Sequence, residues 1–322
     1  MDAQTKLQEY AREFTPKVLL KLLKPNNDLA LEEEKKNFLS TMCMFTNRFS
    51  FESSQTEGRP HLPYQDVIKQ LLLMSFHGFS YRRAKTDLEE LHKSNLISRV
   101  LPRSTLCDYA NREEIKHVLE QLIQTSALFF KEYEDTLIMD STWFGLRMYT
   151  GGFRKVHDKT SSSLEKCRKL HLAILKNSKI ITYAIPSSGT ANDSPFFPLM
   201  VKGTLNNGFH ISTVLADAGY SSKENYSTCK RLGILEVYID FKSNARLKLA
   251  PDGIWKEKLR LFQENKEQWD EAYRYRQCVE GVMSVIKKKT TNYLRSRKPT
   301  SQDVELLLKA LVYNLTIIGR YF

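Results

Sequence analysis

The sequence predicts an α/β protein in which an all-α N-terminal domain precedes a mixed five-stranded sheet flanked by helices. Three observations carry that prediction. Up to about residue 130 the apolar residues recur at helical spacing and β-branched runs are scarce; from residue 134 the alternation shortens to the period of strands; and strand-like runs then alternate with helical ones. A chain of 322 residues can bury two cores, and the change of period places the boundary at 1–130 and 131–322.

In the first part, residues 62–76 (LPYQDVIKQLLLMSF) read as a helix with Pro63 near its start and His77-Gly78 at its end. Ser80 is placed to cap a second helix, YRRAKTDLEELHK. Ser104-Thr105, after Leu101-Pro102-Arg103, is placed to cap a third, LCDYANREEIKHVLEQLIQ. Helix, glycine turn, helix and capped helix are compatible with a helix-turn-helix-like module, and equally with an ordinary helical bundle. Arg82, Arg83, Lys85, Arg103 and Arg112 are its candidate phosphate contacts or plain solvated charges.

In the second part, DTLIMDSTWFGLRMY reads as a strand containing Asp140. A basic, serine-rich stretch follows, then LHLAIL, a turn at Lys176 to Ser178, and KIITYAI, making a three-strand antiparallel meander. A short helix at 194–202, a strand ending at Asp217, a helix capped by Ser221 and a strand LEVYI complete the run. Three antiparallel strands, helix, strand, helix, strand is the order of the ribonuclease-H-like fold. Its first and fourth strands are neighbours, so Asp140 and Asp217 are expected side by side. Residues 241–271 read as a loop and one polar helix, and a final helix near 301–319 is expected to pack back on the sheet.

The net charge is +12, which points to an acidic partner, most simply nucleic acid. The five cysteines show no metal-finger spacing and read as reduced thiols. No apolar run is long enough to span a membrane and no signal peptide is visible, so a soluble, cytoplasmic protein is expected, nucleoid-associated if it binds DNA. Neither a Walker loop nor a dinucleotide fingerprint is present.

Asp140 interrupts the apolar run LIMDSTWF and Asp217 follows VLA; an ionised carboxylate at either place demands a cation or hydrogen bonds. Farther on, Tyr273, Arg276, Glu280 and Lys287 stand at offsets of zero, three, seven and fourteen. At about 100° per residue these fall within a helical stripe about 60° wide. Val279, Val282, Met283 and Ile286 occupy the adjoining sector, so such a helix buries one side and presents Glu280 between cations. An i, i+4 ion pair of Arg276 and Glu280 on a solvated face would produce the same pattern. Two aspartates on adjacent strands and a glutamate from a packed helix supply the oxygen ligands that a pair of divalent metals needs to move a phosphoryl group.

The segment YRYRQCVEGVMSVIK resembles the Y-x2-R-x3-E-x6-K signature of DDE transposases from prokaryotic insertion sequences, and IMDST and LADAGYSS resemble that family's other two acidic blocks. The resemblance covers about residues 134–318 and extends more weakly to GFSYRRAKTDLEEL and LPRSTLCDYANR. It implies a ribonuclease-H-like catalytic domain over 131–322 and a DNA-binding domain over 1–130. It further implies that Asp140, Asp217 and Glu280 are catalytic and bind two Mg2+ ions, with Mn2+ able to substitute. Arg276 and Lys287 would contact the DNA backbone beside the scissile phosphate, with Tyr273 supporting that strand or bracing the helix. The expected partners are double-stranded DNA, as terminal inverted repeats and target, and a second copy of the chain when two ends are held together. The activity implied is cleavage at the ends of a mobile element and transfer of its 3′-hydroxyl ends. A nuclease that only hydrolyses, or a non-catalytic DNA-binding derivative, are the alternatives.

Other residues have readings of their own. The segment 287–298 (KKKTTNYLRSRK) holds six cations and no acid, and with Lys288 reads as a phosphate-tracking tail. Asp193 reads as a helix cap, Asp240 as structural, His171 as a core or edge histidine, and Trp143 and Trp255 as packing residues.

Overall fold

The computed structural model describes residues 32–48, 62–146, 166–242, 245–247 and 253–321. The stretch expected between the first two strands lies outside them up to residue 165, as does the predicted strand end at 147–149. In chain order the elements are α1 (Glu34–Arg48), α2 (Tyr64–Phe76), α3 (Lys85–Lys93), α4 (Arg103–Tyr109), α5 (Glu113–Ala127), β1 (Thr136–Leu146), β2 (Cys167–Leu175) and β3 (Ile181–Ser188). There follow α6 (Phe197–Asn206), β4 (Thr213–Ala216), α7 (Lys223–Arg231), β5 (Glu236–Ile239), α8 (Ile254–Glu264), α9 (Lys266–Tyr273), α10 (Cys278–Lys289), β6 (Tyr293–Leu294) and α11 (Pro299–Gly319). They form two compact units, one of Met1–Phe129, Gly145–Thr150 and Val285–Phe322, the other of Phe130–Phe144 and Gly151–Ser284.

The first unit is helical. Pro63 precedes α2 and His77 closes it, after which Gly78 turns at φ +60°. A Cβ at Gly78 would stand 2.2 Å from the Thr290 carbonyl oxygen, so both the backbone conformation and the close approach require glycine. Two helix starts differ from expectation. The Ser80 carbonyl accepts the amides of Arg83 and Ala84 in a turn, and α3 begins only at Lys85. The run expected as one helix from 106 to 124 is divided, because Arg112 is extended and the Asn111 side chain donates from Nδ2 to the Cys107 carbonyl (2.8 Å), competing with helical bonding. The last helix also needs correction. From Val304 to Ile318 α11 is buried on nearly every side, and a helix apolar all round needs neighbours all round. Its main partners are α5, α1 and α2 rather than the sheet.

In the second unit the sheet runs β3-β2-β1-β4-β5, the order expected for the ribonuclease-H-like fold; the last two residues of β1, Gly145–Leu146, belong to the first unit and pair there with the two-residue β6. β2 and β3 are antiparallel, and β4 is parallel to both β1 and β5. β1 is the inner strand, with Leu137, Ile138 and Met139 fully buried. Ser222, not Ser221, caps α7, accepting the Asn225 amide at 3.1 Å. The polar region after β5 holds two helices instead of one, because Asn265 ends α8 and its side chain caps α9 by accepting the Gln268 amide.

Candidate functional site

The parallel register of β1 and β4 pairs Met139 with Ala216, each one residue before an aspartate. Asp140 and Asp217 therefore leave adjacent strands at the same level, as the sequence predicts. Asp140 remains within β1, where its Oδ1 accepts the Ser141 amide (2.7 Å), while β4 has ended and Asp217 opens a 3-10 turn at Ala218–Tyr220.

The third acid arrives by a different route from the one its spacing suggests. α9 ends at Tyr273, Arg274–Gln277 tighten into a 3-10 turn, and α10 starts at Cys278. The four residues of the stripe thus do not share one continuous α-helix. The turn leaves Arg276 directed at the strands: Nη2 donates to Asp140 Oδ2 (2.6 Å) and lies 3.5 Å from Asp217 Oδ1, and Nη1 donates to Glu280 Oε1. The i, i+4 pair of Arg276 and Glu280 therefore exists, and it belongs to a cluster of three carboxylates around one guanidinium.

The cluster grades from inside to outside. The Asp140 and Arg276 side chains are 11% and 17% exposed, against 44% for Asp217 and 57% for Glu280. Burial pushes the Asp140 carboxyl up to about 6, opposed chiefly by Arg276. Burial works against the Arg276 charge, but Asp140 and then Asp217 outweigh it and raise its pKa. Arg276 Nε is buried without a hydrogen-bond partner, so one donor of the fork remains unused.

Among the described residues no group of three His, Cys, Asp or Glu side chains is arranged to hold a metal; the carboxylates surround a guanidinium instead. Their chemistry nevertheless fits a hard divalent cation. They are anionic oxygen donors, already gathered about one positive charge, and the innermost is costly to ionise without a cation beside it.

Comparison with known families matches residues 131–315, more than half of the chain, to the family described as Transposase DDE domain. The chain belongs to that family. A comparison with curated proteins finds no match. Membership makes the chain a transposase in general terms, of a family that generally uses divalent metal ions and acts on DNA. No helix among the described residues is long and apolar enough to cross a membrane.

The remaining predicted residues of this transposase fall in several places. Tyr273 donates its hydroxyl to the Ala216 carbonyl (3.2 Å), tying the end of α9 to the residue before Asp217. Lys287 is half-buried in α10 with its pKa lowered by burial, while Lys288 is exposed. Arg103 lines a cleft of about 800 Å³ in the first unit with Arg82, Arg295, Arg297, Lys298 and the buried Lys309. Its two acids are Asp108 and Glu305, and the latter accepts the backbone amides of Arg295 and Ser296. The 287–298 segment is therefore partly structural: it contains β6, and Lys289 pairs with Glu34.

His171 is fully buried, bonded to the Tyr220 hydroxyl (3.1 Å) and Ser187 Oγ (2.9 Å) and stacked on Phe196, which decides for the core reading. Trp143 donates to the Gly189 carbonyl under Lys169, and Trp255 meets Phe241; both pack. Asp193 differs from expectation. It stands at the start of the Ser194–Phe196 turn, yet its side chain makes no capping bond and instead accepts from Ser141 Oγ and Lys169 Nζ, both at 2.9 Å. Neither Lys169 nor Ser141 is legible in the sequence as a site neighbour; the available signal is a lysine beside Arg168 at the start of a strand that is apolar beyond it except for His171.

Proposed function

We propose that this transposase is a Mg2+-dependent DNA endonuclease and strand transferase that cuts at the ends of its mobile element and joins the 3′-hydroxyl ends to target DNA. The observation that carries the reading is the meeting of Asp140, Asp217 and Glu280, from three separate elements, on the single guanidinium of Arg276. Three acids gathered from positions so far apart in sequence suit a cation site better than a surface ion pair. Asp140, Asp217 and Glu280 would hold two Mg2+ ions, or Mn2+ in their place. Such ions supply activation of the attacking water or 3′-hydroxyl and stabilisation of the leaving oxygen.

The chain's own groups would do the rest. Arg276 offsets the mutual repulsion of the carboxylates, and its guanidinium would face a phosphate of the terminal DNA backbone. Tyr273 braces the turn that carries Arg276 against the end of β4. A phosphate near Lys287 would offset the burial that disfavours its charge. Lys288 and the cleft around Arg103 would follow duplex DNA by charge. On this reading 1–130 is the DNA-binding domain and 131–322 the catalytic one, two copies hold two element ends, and the protein works at the nucleoid.

The test supplies pre-cleaved element ends with free 3′-hydroxyls and a supercoiled target, with Mg2+ or with EDTA. Mg2+-dependent joined products support the reading. Hydrolysis without joining would replace it with a nuclease, and binding without either would replace it with a DNA-binding derivative.

A further inference from the structure

Behind the three acids lies a second, interior polar group centred on Asp193. Its Oδ1 accepts from Ser141 Oγ and Lys169 Nζ at 2.9 Å each and lies 3.4 Å from His171 Nδ1. Lys169 is 4% exposed and also donates to the Ala191 carbonyl (2.9 Å), so its charge is held away from water with Asp193 as its ion-pair partner. The other oxygen, Oδ2, stands where a Cβ at Gly219 would come within 2.7 Å. One carboxylate thus touches the residue immediately after Asp140 and approaches the residue two after Asp217.

Those contacts have a mechanical meaning. Ser141 is the residue whose amide donates to Asp140 Oδ1, and Gly219 lies in the 3-10 turn that Asp217 opens. β4 stops at Ala216, so the sheet register no longer holds Asp217 once the strand has ended. The Asp193 carboxylate, anchored to β2 by Lys169, supplies a fixed stop at that point. It does not spend its oxygens on capping its own turn, which frees both for these contacts.

We propose that Asp193 is a positioning residue that sets the separation of Asp140 and Asp217 through Ser141 and Gly219. The inference rests on the proposed cation site at Asp140, Asp217 and Glu280. Partners behind ligating carboxylates typically change metal affinity by about 10–100-fold when removed, and Asp193 has that place here.

The test is Mn2+ binding by the full chain without DNA, followed by the electron paramagnetic resonance of free Mn2+, with circular dichroism and melting as the check on folding. Asp193→Ala and Ser141→Ala are expected to weaken Mn2+ binding by about tenfold or more while the chain stays folded, and Gly219→Ala to do the same by pushing the turn off Asp193. Ser141→Ala and Gly219→Ala leave Lys169 paired, so they decide the matter if Asp193→Ala fails to fold. Wild-type affinity in folded Ser141→Ala and Gly219→Ala would overturn the proposal. Glu280→Gln separates the two levels: if wild type binds no Mn2+ that this variant loses, the cation site itself is wrong, whereas a lost site in Glu280→Gln beside intact binding in the other variants condemns Asp193 alone.

Discussion

Arg276 donates from Nη2 to Oδ2 of Asp140 at 2.6 Å, across 136 positions of chain, and the same guanidinium reaches Asp217 and Glu280. A fixed cation thereby occupies the centre of the carboxylate cluster. It compensates an aspartate that burial would otherwise keep protonated, and it competes for the oxygens that a divalent ion would use.

Replacing Arg276 by Gln tests that compensation. Without the cation the Asp140 carboxyl should rise further, because an opposite charge at this range lowers a carboxyl pKa by roughly 1–3. The pH midpoint of Mn2+ uptake is expected to move up by a comparable amount, measured by calorimetry across pH 5–8. An unchanged midpoint would show that Arg276 does not control the ionisation of Asp140.

Asp140 and His171 should mark stability with opposite signs. The Asp140 carboxyl is raised to about 6 by burial, so its contribution is complete below its ordinary value near 3.8 and is lost as pH rises through about 6. His171 is lowered to about 4, again by burial, so its contribution is complete above about 6.5 and is lost as pH falls through about 4. In EDTA, Asp140→Asn should gain on wild type between pH 4 and 7.5, and His171→Gln should gain on it in the reverse direction. Each change is on the order of 3 kcal/mol, read from urea denaturation at the two ends of the range.

Gly78→Ala should destabilise the first unit. The added methyl would meet the Thr290 carbonyl at 2.2 Å on a backbone with φ +60°. Overpacking and a left-handed alanine together cost roughly 2–4 kcal/mol, measured as a lowered denaturation midpoint; a change within 0.5 kcal/mol, about the scatter of neutral surface substitutions, would contradict the packing described.

Much of this site could be read from the chain because its two aspartates interrupt apolar strands, and the order of strands places them together. The register of Met139 with Ala216 bears that out. The 3-10 turn at Arg274–Gln277 is not legible in the sequence, since one tightened turn barely alters a helical periodicity, yet it is what aims Arg276 at β1. The role of Asp193 was hidden for another reason: its partners lie 52 and 24 positions away, at no periodic spacing. The sequence shows helix α11 but not its neighbours, because an all-round apolar helix says how much it buries and not against what.

The basic cleft of the first unit yields a prediction in solution. Arg297 and Lys298 are exposed at its edge. If they neutralise phosphates, Arg297→Gln with Lys298→Gln should weaken duplex DNA binding and flatten the plot of log affinity against log salt by about 0.9 for each phosphate no longer neutralised. Fluorescence anisotropy at several salt concentrations reads both, and an unaltered slope would remove these residues from the DNA surface.

The central claim is that Glu280 joins Asp140 and Asp217 in one cation-binding, DNA-cutting site. Its most direct test is single-turnover 3′-end cleavage of DNA carrying the element's ends, in Mg2+, by wild type and by Glu280→Gln. Loss of a metal ligand removes several kcal/mol of transition-state stabilisation, so cleavage should fall by about a thousandfold or more while DNA binding persists. Cleavage at the wild-type rate in folded Glu280→Gln would contradict the account.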